Sequence, residues 1–148
     1  MVTSTPARFL LVEDDQSHAD LIRMAFDDNN IANSLEHVDD GEKAIRYLKG
    51  EAEYASRQLP DIILLDVRLP KLDGHEVLRF IKSDEQLNVI PVVMLTTSDA
   101  EVDRTKAYQE HVNSYLTKPV DFDQFQKMIK DLEFYWAIWN SPPSVAVD

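Results

Sequence analysis

The sequence predicts an α/β domain, a parallel sheet with helices on both faces, and two observations predict it. Short apolar runs of strand length, rich in Ile, Val and Leu, recur near 9–12, 62–65, 92–95 and 113–116, parted by stretches of helical pattern. That alternation implies parallel strands joined by helical crossovers. The runs also end alike. Phe9-Leu10-Leu11-Val12 opens into Glu13-Asp14-Asp15, Ile62-Ile63-Leu64-Leu65 into Asp66, Val92-Val93-Met94-Leu95 into Thr96-Thr97-Ser98, and Tyr115-Leu116 into Thr117-Lys118-Pro119. In an open parallel sheet, ligands bind beyond the carboxyl ends of the strands where the strand order reverses. Acids, hydroxyls and a lysine are therefore expected to converge there.

Taken in order, residues 1–7 are small and polar and are read as a flexible start. After the first strand, a helix over about 16–29 carries Ala19, Ile22 and Phe26 on one face, with Leu21 and Ala25 beside it. Asn33 to Val38 is the weakest strand, its polar composition suiting an edge. Four helix starts are marked by a capping residue with Glu or Gln three positions on: Asp39…Glu42, Asp73…Glu76, Ser98…Glu101 and Asp121…Gln124. The longest irregular connection, Gly50 to Pro60, has Tyr54 and Leu59 as anchors. The tally is five strands and five helices, one domain over 8–140, with 141–148 a flexible tail.

Composition narrows the function. A chain of 148 residues holds one domain with a real core. A formal net charge of -12 speaks against nucleic acid, whose binding rests on Lys and Arg neutralising phosphates. There is no cysteine, which excludes disulfides and thiolate chemistry. No apolar stretch approaches the roughly 20 residues that span a bilayer, and the first residues lack a signal peptide's pattern. A cytoplasmic protein with no membrane partner is expected. His18, His37, His75 and His111 show no ligand spacing and read as surface or structural residues. Neither a Walker A motif nor GxGxxG is present.

Glu13, Asp14 and Asp66 place three carboxylates at neighbouring strand ends. Carboxylates about 4 Å apart repel by roughly 4 kcal/mol per pair at an effective dielectric near 20, so the cluster calls for a cation. With oxygen ligands alone the natural choice is Mg²⁺, which also welcomes phosphate oxygens. A carboxylate can itself be a nucleophile that forms an aspartyl phosphate, and Asp66 is the best placed. Lys118 supplies a point charge, Thr96 a hydroxyl, and main-chain amides after Asp66 add donors. Pro119 admits either isomer of the Lys118-Pro119 bond. Asp15 reads as a helix-start acid favoured by the macrodipole.

The set Glu13-Asp14, Asp66 with Pro70 and Asp73-Gly74, Thr96, Tyr115 and Lys118-Pro119 resembles the receiver domain of two-component response regulators, over about residues 8 to 138. The resemblance implies a doubly wound, flavodoxin-like sheet of order 2-1-3-4-5. It implies phosphorylation of Asp66 by a sensor histidine kinase, with Mg²⁺ held by Asp14, Asp66 and the main-chain carbonyl of Arg68, and Glu13 acting through water. Thr96 and Tyr115 would form a switch, Thr97 and Ser98 lining the loop that shifts. The signal would pass to an unidentified downstream protein through the surface of the fourth helix, fifth strand and fifth helix.

The Gly50–Pro60 connection, the run His111 to Lys118 and Phe134-Tyr135-Trp136 are similar to single-domain regulators paired with cyanobacterial phytochromes. Those tend to dimerise through the last helix and neighbouring elements. Here Phe134, Tyr135 and Ile138 lie outside the stripe Phe122, Phe125, Ile129, Leu132, Trp136 and Trp139 that the sheet would cover, so they are the dimer candidates. Two other functions compete. An aspartate-nucleophile phosphatase or phosphotransferase usually carries a second acid two positions after the first, where this chain has Arg68. A phosphorylation-independent binding module would have lost the acceptor, the metal acid or the lysine, and this chain keeps all three.

Overall fold

The computed structural model describes residues 8–29, 34–97 and 114–118 and the helical positions Asp123 and Lys127; at 25, 28, 29, 96, 97 and 114–118 it describes the backbone alone. In chain order the elements are β1 (Arg8–Val12), α1 (Gln16–Asn29), β2 (Ser34–Val38), α2 (Gly41–Lys49), β3 (Ile62–Asp66), α3 (Gly74–Ser83), β4 (Val92–Thr97) and β5 (Ser114–Lys118). The strands lie in the order β2-β1-β3-β4-β5, all parallel, as the resemblance implied. From β1 the chain steps outward to β2 and then back across to β3, so the order reverses between β1 and β3.

The period-2 alternation of the strands sorts their side chains onto two faces. Leu10, Val12, Ile63, Leu65, Val92 and Met94 pack with Ala44, Tyr47 and Leu48 of α2 and Val77, Leu78 and Ile81 of α3. On the other face Phe9, Leu11, Ile62, Leu64, Val93 and Leu95 meet Ala19, Ile22 and Phe26 of α1. The Phe9 and Phe26 rings stand edge to face, their centroids 4.7 Å apart. β3 is buried along its whole length, whereas β2 at the edge alternates between exposed and half-buried positions before Val38. That difference is why the sequence shows one as a solid apolar run and the other as a polar one.

The expected buried face of α1 is present, while Leu21 beside it is 61% exposed. Asp15 caps α1, its Oδ1 accepting from the main-chain N–H groups of Ser17 at 2.9 Å and His18 at 3.2 Å. α3 opens with the full capping box expected from Asp73 and Glu76. The start of α2 differs by one residue. Asp40, extended at φ -152 and ψ 166, is the cap and accepts from the N–H of Lys43, while Asp39 forms an exposed pair with Lys43 Nζ at 2.7 Å. Both acids precede the helix, and only Asp40 stands where its carboxylate can reach the third helical N–H. The starts read at Ser98 and Asp121 lie outside the described residues, as do 1–7 and 141–148.

The 50–60 connection is held from within. α2 ends at Gly50, whose φ of 72 closes the helix in the left-handed region. Arg57 reaches back, donating from Nε to the Tyr47 carbonyl at 3.0 Å and from Nη2 to that of Leu48 at 2.8 Å. A short 3-10 turn, Ala52–Tyr54, sets the Tyr54 ring against Tyr47 with centroids 5.3 Å apart, and Leu59 packs on the core. Both expected anchors are in place. Arg57→Ala should lower the unfolding free energy by about 1.5 kcal/mol, read from urea denaturation as a fallen midpoint at unchanged slope.

Candidate functional site

Val12 of β1 lies opposite Leu65 of β3, so the next residue on each strand is an acid. Glu13 is wholly buried and Asp66 is 4% exposed, while Asp14 is open to solvent. One carboxylate oxygen from each of the three comes within 4.8 Å of the others. Main-chain amides support the two buried acids. Asp66 Oδ1 accepts from the N–H of Arg68 at 3.2 Å, and Glu13 Oε2 from that of Asp15 at 3.2 Å. The His18 ring borders the cluster, its Nδ1 3.8 Å from Asp15 and 4.0 Å from Glu13. The Ser17 hydroxyl, donating to Asp15, holds that carboxyl below its ordinary range.

Three converging carboxylates, two of them buried, make an all-oxygen donor set whose mutual repulsion a hard divalent cation relieves. The residues fit Mg²⁺ on that ground. Beside them opens a cleft of about 440 Å³ lined by Asp14, Val67, Arg68, Leu69, Pro70, Asp73 and His75.

Close contacts set the position of the loop after Asp66. The Val67 N–H donates to the Leu95 carbonyl at 2.9 Å, and the Val67 carbonyl accepts from Gly74 at 2.8 Å. A Cβ on Gly74 would collide with the Asp66 carbonyl oxygen and stand 2.7 Å from Val67 Cα. A Cβ on Gly41, at the start of α2, would collide with the Leu72 carbonyl in the same way. Between them Lys71 takes a left-handed φ of 68, its Nζ 3.7 Å from the largely buried Asp40 carboxylate. The ion pair offsets part of a backbone conformation that non-glycine residues adopt only at some energetic cost.

The structure thus brings together Glu13, Asp14, Asp66 and Arg68 of the residues singled out in the sequence. For Thr96, Thr97, Tyr115 and Lys118 it gives backbone register. Asp66 pairs with Leu95, Thr96 with Thr117, Thr97 with Lys118, and Met94 with Tyr115, so Thr96 and Lys118 sit on the two strands beyond Asp66, at the carboxyl end of the sheet. Ser98, Pro119, Phe134, Tyr135 and Ile138 lie outside the described residues. Besides His18, two histidines gain a place in the site's surroundings. His75 is buried and lines the cleft; its position directly after Asp73-Gly74 was the available signal. His37 bonds the main chain of Glu13, and only the pairing of an edge strand could have indicated it.

Residues 9–130 match the family model described as the response regulator receiver domain. The chain is 46% identical over 141 residues to the probable methanogenesis regulatory protein FilR2 of Methanothrix harundinacea, covering 95% of this chain and 90% of that protein. It is similar to the crystal structure of the phosphorylated cyanobacterial phytochrome response regulator RcpA, with a TM-score of 0.77 and 42% identity over 89% of this chain and 94% of that one. The Mn²⁺-bound form of response regulator Rcp1, a Synechocystis protein, matches at a TM-score of 0.76 and 40% identity, over 88% of this chain and 94% of that one.

Because Gly74 packs without clearance on the main chain of Asp66, Gly74→Ala should lower the unfolding free energy by about 2 kcal/mol, measured by urea denaturation. Glu76→Ala, a change two positions along the same helix turn that leaves Gly74 in place, should cost about 1 kcal/mol or less.

Proposed function

The chain belongs to the response regulator receiver family, and we propose that it accepts a phosphoryl group on Asp66 from the phosphohistidine of a sensor histidine kinase. Receivers are signalling phosphoacceptors, and the single observation that carries the assignment of the acceptor is the convergence of Asp66 with Glu13 and Asp14 within 4.8 Å beside an open cleft. An Asp66 carboxylate oxygen attacks phosphorus as the P–N bond breaks, and the electron pair returns to the imidazole nitrogen of the kinase. The Arg68 N–H keeps the Asp66 carboxylate oriented during the approach. Asp14, Asp66 and the Arg68 carbonyl would hold Mg²⁺, with Glu13 behind them. When bound, the ion would draw charge from the phosphoryl oxygens.

In this reading Lys118 places a positive charge by the new phosphoryl group. Thr96 offers its hydroxyl, and Tyr115 turns with it as the switch. Thr97, Ser98 and Pro119 belong to the loops that shift, and the altered surface is that of β5 and of the helices read after β4 and β5. The receiver spans 8–140 and works in the cytoplasm. No helix among the described residues is long and apolar enough to cross a membrane, and the net charge of -12 makes nucleic acid an unsuitable partner. The likeness to the phytochrome response regulator RcpA supports a phytochrome-type kinase as the donor. Self-association through Phe134, Tyr135 and Ile138 would give the module a symmetric dimer from which to signal to a downstream protein.

Intact mass after incubation with a small acyl phosphate should show one phosphoryl adduct that requires Mg²⁺ and is absent from Asp66→Asn; an adduct of equal yield in that variant would remove Asp66 from the role. Lys118→Ala should still accept the group yet lose any change of self-association that phosphodonor produces in the parent, followed by light scattering. A full response in the variant would place the switch elsewhere.

A further inference from the structure

Glu13 leaves β1 with both ends of its backbone held from the edge strand. Its N–H donates to the Val38 carbonyl at 3.1 Å. Its carbonyl oxygen lies 2.7 Å from Nε2 of His37. A carbonyl oxygen only accepts, so Nε2 carries the proton and donates, which it can do as the neutral tautomer or as imidazolium. His37 is opposite Leu11 in the β1–β2 register, so this bond reaches forward beyond the strand pairing. It supplies a partner to a buried residue's carbonyl at the point where the ladder ends.

The carbonyl of Glu13 belongs to the peptide unit that joins Glu13 to Asp14. Its plane fixes where the Asp14 Cα, and hence the Asp14 carboxylate, starts relative to that of Glu13. We propose that His37 is a positioning residue: by donating to the Glu13 carbonyl it orients the peptide between two of the three clustered acids and sets the cluster's affinity for a divalent cation. The inference rests on the reading of Asp14 as a cation ligand with Glu13 behind it. It goes beyond it in assigning a role to an edge-strand side chain that touches neither phosphoryl group nor ion. Partners outside a metal's ligand shell act in this way, by fixing the ligands' orientation.

The test compares the parent with His37→Phe, which keeps a ring and loses the donor, and His37→Gln, whose side-chain amide can donate from a similar reach. In ¹⁵N-labelled, metal-free protein the Asp14 and Asp15 amide resonances should be displaced by Phe and return toward parent positions with Gln. In calorimetric titration with Mg²⁺ alone, the Phe variant should bind about tenfold more weakly and the Gln variant within about threefold of the parent. Parent-like Mg²⁺ affinity in the Phe variant would overturn the proposal even if its metal-free unfolding midpoint fell, because the bond would then serve only the strand edge. A Gln variant as weak as Phe would overturn it as well, since the ring and not the donated proton would matter. His37→Leu, also without a donor, takes the place of Phe should that variant fail to fold. A parent that takes up no Mg²⁺ would overturn the cation reading and the affinity half of the proposal together, while the amide comparison separately decides whether His37 orients the peptide.

Discussion

The register between β1 and β3 is the constraint on which the site depends. Pairing Val12 with Leu65 brings Glu13 and Asp66 to adjacent strand ends, and a slip of one residue would exchange the side chains fitted against α1 for those fitted against α2 and α3 and carry one acid out of line with the other. The apolar content of the two strands therefore holds two acids together that would otherwise separate. Four apolar residues of β1 and the four of β3 that precede Asp66 are buried. At about 1.5–3 kcal/mol for each large apolar side chain fully buried, their packing outweighs the repulsion between neighbouring carboxylates of roughly 4 kcal/mol at an effective dielectric near 20.

The loop that follows Asp66 is arranged to keep that strand end in place. Gly74 lets α3 press directly on the Asp66 and Val67 main chain, and Gly41 lets α2 do the same to Leu72. The two helices thereby grip the loop that carries Arg68 from opposite ends. Lys71, left-handed between them and facing Asp40, links the cap of α2 to the same loop. A loop fixed at so many points can present a main-chain carbonyl and an amide at defined positions, and fixed donors and acceptors cost little reorganisation when charge develops.

Much of this was legible in the sequence because burial writes itself as composition. β3, covered on both faces, appears as Ile62-Ile63-Leu64-Leu65, and the acid that ends it stands out against the apolar run. The capping box at Asp73 and Glu76 was equally plain, since its chemistry is local. The start of α2 was misplaced by one residue because Asp39 and Asp40 are chemically identical, and only the backbone decides which carboxylate meets the Lys43 amide. His37 was unreadable for a different reason. Its bond to Glu13 spans two strands that are distant in sequence, and a histidine in a polar edge strand looks like any surface residue. His75 was easier to place, since it directly follows Asp73-Gly74, but its burial depends on how closely α3 approaches β3.

The division of exposure within the cluster has its own logic. Glu13 and Asp66 are buried and rest on main-chain amides, whereas Asp14 faces solvent. Burial removes water that would screen the first two, so their repulsion is felt strongly and a cation relieves it strongly. The exposed third acid leaves the entrance open, so an ion can arrive with part of its water shell, as Mg²⁺ prefers. A ligand that binds only the folded state at a hundred times its dissociation constant adds about 2.7 kcal/mol of stability. In the proposed reading, the electrostatic repulsion that β1 and β3 impose on the cluster is the free energy that a bound divalent ion would relieve. The apolar register that creates this repulsion is in that sense part of the proposed cation site.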